Sequence, residues 1–291
     1  MTRAMLLAGA MALMATTSAG AAATAVPTFG RDAPDRAAAM SWIDARTRPD
    51  RAGDLYSFRS ETEIKEKGAD GDYSQTNAQT FDLQVLAADA TGVKLRYTLR
   101  EVKVSDSSHA RLQEAASAAI GLALDFTLSA DGEVTGLSNW AAYKAQYLKK
   151  LGAALPADDP VRAALTATYK EAPLEVARQL VLGDVLAMAA VEVSGRTPLG
   201  LTEVGDDGRS LSPRFASLDL SVGKEACRLA NTRTARTGGE EPSEVTATAS
   251  LSVVDGRVLD MVQTKRSETK DASSDETLSI HRLSDAPGCG G

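Results

Sequence analysis

The sequence predicts an α+β fold, a strongly curved antiparallel sheet (open or half barrel) with a central helical insertion packed on its concave face. Three observations carry this. Stretches near both ends of the chain alternate apolar and polar residues with a period of two, the mark of strands with one buried and one wet face. The middle, about residues 106–191, changes to helical spacing. Gly-containing turns at 68–72, 89–92 and 255–256 punctuate the alternating segments.

Residues 1–25 read as an export signal. Arg3 supplies the positive start, Ala4 to Ala15 is an uncharged run of Ala, Met, Leu and Gly, and Ala23-Thr24-Ala25 fits the small-x-small cleavage pattern. The run is shorter than the roughly 20 residues that span a bilayer, so cleavage is favoured over an anchor. No Cys lies near the cleavage region, which argues against lipid attachment there. Residues 26–53 form an N-terminal arm, with Ala37 to Arg46 suited to a short helix before Pro49. Residues 54–283 make one α+β domain, and 284–291 a C-terminal tail.

Within that domain Tyr56, Phe58, Ser60, Thr62 and Ile64 share one strand face, opposite Arg59, Glu61, Glu63 and Lys65. Phe81, Leu83, Val85 and Ala87 repeat the pattern, and so do Val93, Leu95, Tyr97 and Leu99. A helix is expected from Asp106 or Ser107 to about Ile120, then a hairpin through Leu124, Phe126, Leu128 and Val134. Ser138 or Asn139 caps the next helix, which Gly152 ends; Asp159-Pro160 opens another. Leu174 to Val191 is more uniformly apolar, but Glu175, Arg178 and Asp184 divide it, so it reads as a buried helix and not a membrane span. Strands return at Leu218 to Val222, around Cys227, at Val245 to Val253, at 257–269 and at Leu278 to Leu283. The polar stretches 232–242 and 267–276 read as exposed loops.

Composition excludes more than it selects. A net charge of −7 opposes binding to nucleic acid or an anionic membrane, and aromatic residues are only 4% of the chain. Cys227 and Cys289 are the two cysteines, and an oxidising compartment makes an even pair into a disulfide. That bridge would close a long loop, worth roughly 4 kcal/mol, and pin the tail. His109 and His281 stand outside any metal-ligand spacing, and the paired acids lack a calcium-loop pattern, so neither a metal nor another cofactor is expected. No G-x-S-x-G occurs, and the S-x-x-K matches at Ser221 and Ser267 lie in polar, strand-rich sequence, so no catalytic residue is assigned. Trp140, Tyr143 and Tyr147 recur at helical spacing, as a core stripe or as the wall of a ligand pocket; they are the candidate ligand-binding residues.

The order of elements over residues 54–283 resembles the half-barrel-and-lid layout of periplasmic lipoprotein-carrier proteins of the LolA/LolB kind. That resemblance implies a cleft between sheet and helices that accepts an acyl chain or another hydrophobic molecule. The expected function is therefore an exported, periplasmic, non-enzymatic protein that binds or carries a lipophilic ligand. Its alternative is an envelope structural module that engages a protein partner. A serine hydrolase is the third reading.

Overall fold

The computed structural model describes residues 41–44, 48–68, 71–107, 111–129, 132–171, 173–192, 196–199, 212–223, 226–237, 242–252, 254–269 and 272–285. Twelve strands and four helices follow in the order β1 (Ser41–Asp44), β2 (Leu55–Gly68), β3 (Tyr73–Asp89), β4 (Gly92–Asp106), α1 (Leu112–Ser117), β5 (Ala123–Ser129), β6 (Val134–Leu137), α2 (Trp140–Ala154), α3 (Pro160–Glu171), α4 (Leu174–Glu192), β7 (Arg196–Leu199), β8 (Ser212–Gly223), β9 (Ala226–Thr237), β10 (Ser243–Ser252), β11 (Val258–Glu268) and β12 (Ala272–Arg282).

Ten of the strands form one antiparallel sheet in the order β6-β5-β4-β3-β2-β12-β11-β10-β9-β8, while β1 pairs with β7 alone. The two ends of the sheet do not meet, so it is open. The first and last long strands of the domain lie side by side, with Ser60 opposite Ile280 across β2 and β12. The helices cover one face, α1 packing on β4, α2 on β5, and α4 on β6, β10 and β11. The predicted α+β class and central helical insertion are thus what the chain adopts.

The period-two reading places the core. Tyr56, Phe58, Ser60 and Thr62 of β2 are buried, whereas Arg59, Glu61 and Glu63 stand in solvent. Phe58 stacks on Phe81 with ring centroids 5.6 Å apart, and Phe81 meets Tyr97 at 5.3 Å. Each such ring removes enough apolar surface from water to contribute roughly 1.5–3 kcal/mol. The phase slips once on β4, where Phe81 pairs with Leu99 but Thr80 pairs with Glu101. This bulge sets Arg100 and Glu101 both outward, so Leu99 and Val102 both point in.

Several boundaries differ from expectation. Residues 41–44, expected in a helix over 37–46, are the strand β1; Trp42 and Ile43 favour an extended chain, and β7 supplies the ladder. Helix α1 is only six residues, closing through turns at Ala118 to Leu122. Asn139 precedes α2 without capping it. Its side chain instead accepts from the Asp125 amide at 2.8 Å and donates to the Ala123 carbonyl at 3.0 Å, tying the helix start to β5. Gly152 lies within α2, which runs on to Ala154. Asp159 caps α3 as read, its carboxylate accepting from the Val161 amide at 2.9 Å. Much of 232–242 and 267–276 is strand, in β9, β11 and β12. The signal segment 1–25, His109 and the tail beyond Asp285 lie outside the described residues.

A buried ion network holds one end of the molecule. Arg257, in the turn before β11, reaches Glu192 at the end of α4 at 2.8 Å and Asp50 at 2.9 Å. Glu192 also accepts from the Val258 amide at 2.8 Å. Arg282 pairs with Asp255 at 2.8 Å, and both guanidinium groups lie over the Tyr56 ring, 5.3 and 5.0 Å from its centroid. Arg257 is 7% exposed, so its loss would strand two buried carboxylates. Arg257→Ala is expected to cost about 3–5 kcal/mol of stability. Urea unfolding checks this, and a variant that unfolds at the wild-type midpoint would contradict the clamp.

Candidate functional site

Strand register arranges the inner face of the sheet in transverse rows, and the rows change character along the strands. Tyr56, Leu83, Tyr97 and Leu124 form one row, and Phe58, Phe81 and Leu99 the next. Then Ser60, Gln79 and Val102 follow, then Thr62, Asn77 and Val104, then Ile64, Gln75 and Asp106. On the other side of β2 the last two rows continue into Leu278 and Gln263, and into Glu276 and Lys265. The face is therefore apolar and aromatic at the end held by the ion network, and increasingly polar toward the other.

Helix α4 crosses at this boundary. Its backbone leaves helical geometry at Leu182 (φ −113°, ψ 19°), and two residues later Asp184 points to the sheet. The carboxylate oxygen Oδ2 of Asp184 accepts from the Ser60 hydroxyl and from Gln79 Nε2, the latter at 2.5 Å. Asp184 is 5% exposed, and its two partners are neutral. Burial raises its pKa above the usual carboxylate range, while the bonds from Ser60 and Gln79 pull the other way.

Beside Asp184 lies a cavity of about 40 Å³ between the sheet and all four helices. One side is polar, formed by Asn77, Gln79, Gln179 and Asp184; the other is formed by Leu99, Val102, Val104, Ala116, Leu180 and the rings of Tyr97, Tyr143 and Tyr169. Asn77 Oδ1 is buried without a hydrogen-bond partner. The phenol groups of Tyr97, Tyr143, Tyr147 and Tyr169 are close enough to influence one another, and burial pushes all four upward, so they stay protonated at neutral pH. A water needs roughly 10–15 Å³ by this measure, so the space holds a few waters or one small polar group. An acyl chain would require the helices to part.

The three aromatic residues singled out from sequence come together but do not share one role. Tyr143 lines the cavity. Trp140 is half-buried and stacks on Tyr143 and on Tyr169, both at 5.8 Å. Tyr147 is buried, stacks on Tyr169 at 4.3 Å and donates to the Ala115 carbonyl at 3.4 Å, which makes it a support for the wall. Sequence reasoning passed over Asn77, Gln79 and Tyr169 as cavity residues. It noted Asp184 as a charge in an apolar helix, and that was the available signal.

A second buried acid stands at the polar end. Glu276 of β12 is 7% exposed, and its Oε1 has no hydrogen-bond partner. Burial raises its pKa to about 7, helped by the charges of Asp184 and Glu66 and opposed by Lys265. Of the other sequence candidates, His281 is exposed and bonded to Asp260 at 2.5 Å, and Ser267 is half-buried on β11. Ser221 and Cys227 lie on β8 and β9, while Lys224, Lys270 and Cys289 fall outside the described residues. Among the described residues no group of three or more His, Cys, Asp or Glu is placed to hold a metal ion, and no helix is long and apolar enough to cross a membrane.

No family model matches the chain, and no curated protein does; the resemblance to lipoprotein carriers therefore rests on element order alone. Among solved structures it is similar to one of lipid–protein interactions in lipovitellin, at a TM-score of 0.44 and 6% identity, covering 83% of this chain and 26% of that one. The chain thus spans about a quarter of that protein's length. MucB in complex with MucA scores far lower, with a TM-score of 0.11 at 11% identity over 78% of this chain and 88% of that one. A Pseudomonas aeruginosa MucA/MucB complex gives 0.10 at 10% identity over the same shares. All three scores are below the level at which two chains share a fold, so the site is read from its own residues.

Glu276 makes stability depend on pH. Between its ordinary 4.5 and about 7 the folded chain keeps a proton that the unfolded chain releases, so stability falls as pH rises through that window. The span corresponds to about 3 kcal/mol. Glu276→Gln is expected to match wild type at pH 5 and to exceed it at pH 8, as measured by urea unfolding at both. Equal stability of the two proteins at pH 8 would contradict the assignment.

Proposed function

We propose that this is an exported, non-catalytic binding protein that takes one amphiphilic molecule between the inner face of the sheet and the helices. The observation that carries the reading is the cavity at the line where that face passes from apolar to polar. The ligand's polar end meets Asn77, Gln79 and Asp184. Its apolar part lies against Tyr97, Leu99, Val102, Tyr143 and Leu180. As folded, the space admits only the polar end. The break in α4 at Leu182, followed by Gly183, supplies the place where the lid bends to admit the rest.

The site is better suited to holding than to cutting. Ser60, the hydroxyl that Asp184 engages, is not among the residues that line the cavity, and its proton is committed to Asp184. Export rests on the leader-like segment 1–25 and carries the pairing of Cys227 with Cys289.

Organic extraction of the protein purified from its native envelope, followed by mass spectrometry, is expected to recover an amphiphile near one equivalent. Recovery of none, together with unchanged tryptophan fluorescence on adding detergents, would overturn the reading. The intact mass of the exported protein is expected to lack residues 1–25 and to rise by two hydrogens on reduction. A free thiol pair before reduction would remove the disulfide.

A further inference from the structure

We propose that the polar end of the bound molecule is a primary ammonium group, an inference that rests on the cleft reading above. The cavity's polar wall offers acceptors. Both hydrogen bonds to Asp184 fall on Oδ2, so its Oδ1 is available to a ligand. Asn77 Oδ1 is buried with nothing to accept from. Farther along the same inner face, Glu276 Oε1 is also buried without a donor, and its carboxyl lies close enough to feel the charge of Asp184. Two buried oxygens without donors, one in the cavity wall and one farther along the face, call for a ligand that donates, and Asp184 is the acid between them. The one buried donor without a partner among the described residues, Arg178 Nε, already has its guanidinium paired with Glu175.

Charge points the same way. The acids at this end are Asp184, Glu276, the half-buried Glu66 and Asp106, which accepts from the Tyr73 hydroxyl. The cations are Lys265, which faces Glu276 across β11 and β12, and Arg178 of α4, which pairs with Glu175 at 3.2 Å. A carboxylate or phosphate headgroup would set a second negative charge against the buried Asp184, whereas an ammonium relieves it. The rings of Tyr97, Tyr143 and Tyr169 on the facing wall add a surface that attracts cations. Hydrogen bonding narrows the class further. An NH₃⁺ group donates to these oxygens, whereas a trimethylammonium carries the same charge with no N–H to donate.

Dodecylamine, dodecyltrimethylammonium, dodecanoate and dodecyl maltoside, each below its micellar concentration at physiological salt, provide the test, read by tryptophan fluorescence in a Trp42→Phe background that leaves Trp140 as the single emitter. Wild type is expected to bind dodecylamine at least about ten-fold more tightly than the other three. Asp184→Asn, checked for folding by its unfolding midpoint, is expected to erase that preference by bringing dodecylamine affinity down to that of dodecyl maltoside for the same variant. Because the substitution removes a single acid from a chain with 39, a collapse of the preference cannot come from bulk charge. Asn77→Leu, checked for folding by its unfolding midpoint, is expected to lower the preference several-fold. Binding of all four probes with no preference, or a preference that survives Asp184→Asn, overturns the ammonium assignment and leaves the cleft standing. Binding of none overturns both.

Discussion

Arg257 fixes where everything else sits. One guanidinium joins the arm before β2, the end of α4 and the turn between β10 and β11, segments far apart in sequence. Burying ions is costly, and attraction repays the cost only when geometry and hydrogen bonds are complete. Here Glu192 accepts from both Arg257 and a backbone amide, Asp50 accepts from Arg257 and the Tyr56 hydroxyl, and Tyr56 presents its ring to two arginines. Because Glu192 is the last residue of α4, the network decides where that helix crosses the sheet. The position of Asp184 eight residues earlier follows from it.

The inner face then divides labour by rows. At the clamped end, stacked rings and aliphatic side chains supply cohesion. At the far end the same strands carry Ser60, Thr62, Gln75, Asn77, Gln79 and Glu276, which add little to cohesion and cost desolvation. A fold under pressure only to be stable would have filled those rows with Val and Leu. Asn77 Oδ1 and Glu276 Oε1, buried there without a hydrogen-bond partner, mark a surface shaped for something other than packing.

That division also explains what could be read from the residues. Alternation from Tyr56 through Ile64 and from Val93 through Leu99 announces strands because one face is apolar. The pattern breaks at Arg100 and Glu101, where a bulge shifts the phase, so Val102 and Val104 were not recognised as inward-facing. At 267–276 the inner face is itself polar, and period-two contrast vanishes; the stretch reads as a loop although Glu276 is among the most consequential residues. The aromatic stripe on α2 was visible, but which ring meets the cavity depends on Tyr169 from α3, a neighbour that spacing cannot reveal. Asp184 was conspicuous as a charge among apolar residues, yet its partners lie more than a hundred positions away.

The break at Leu182 makes α4 two cooperative units rather than one. The half beyond it is tied through Glu192 to the ion network, and its amides should exchange with solvent only when the sheet itself opens. The half before it, which carries Gln179 and Leu180 over the cavity, lies on the far side of the break from Glu192 and can open at smaller cost. The two halves of a single helix thus differ in persistence, and the step between them falls beside the buried acid.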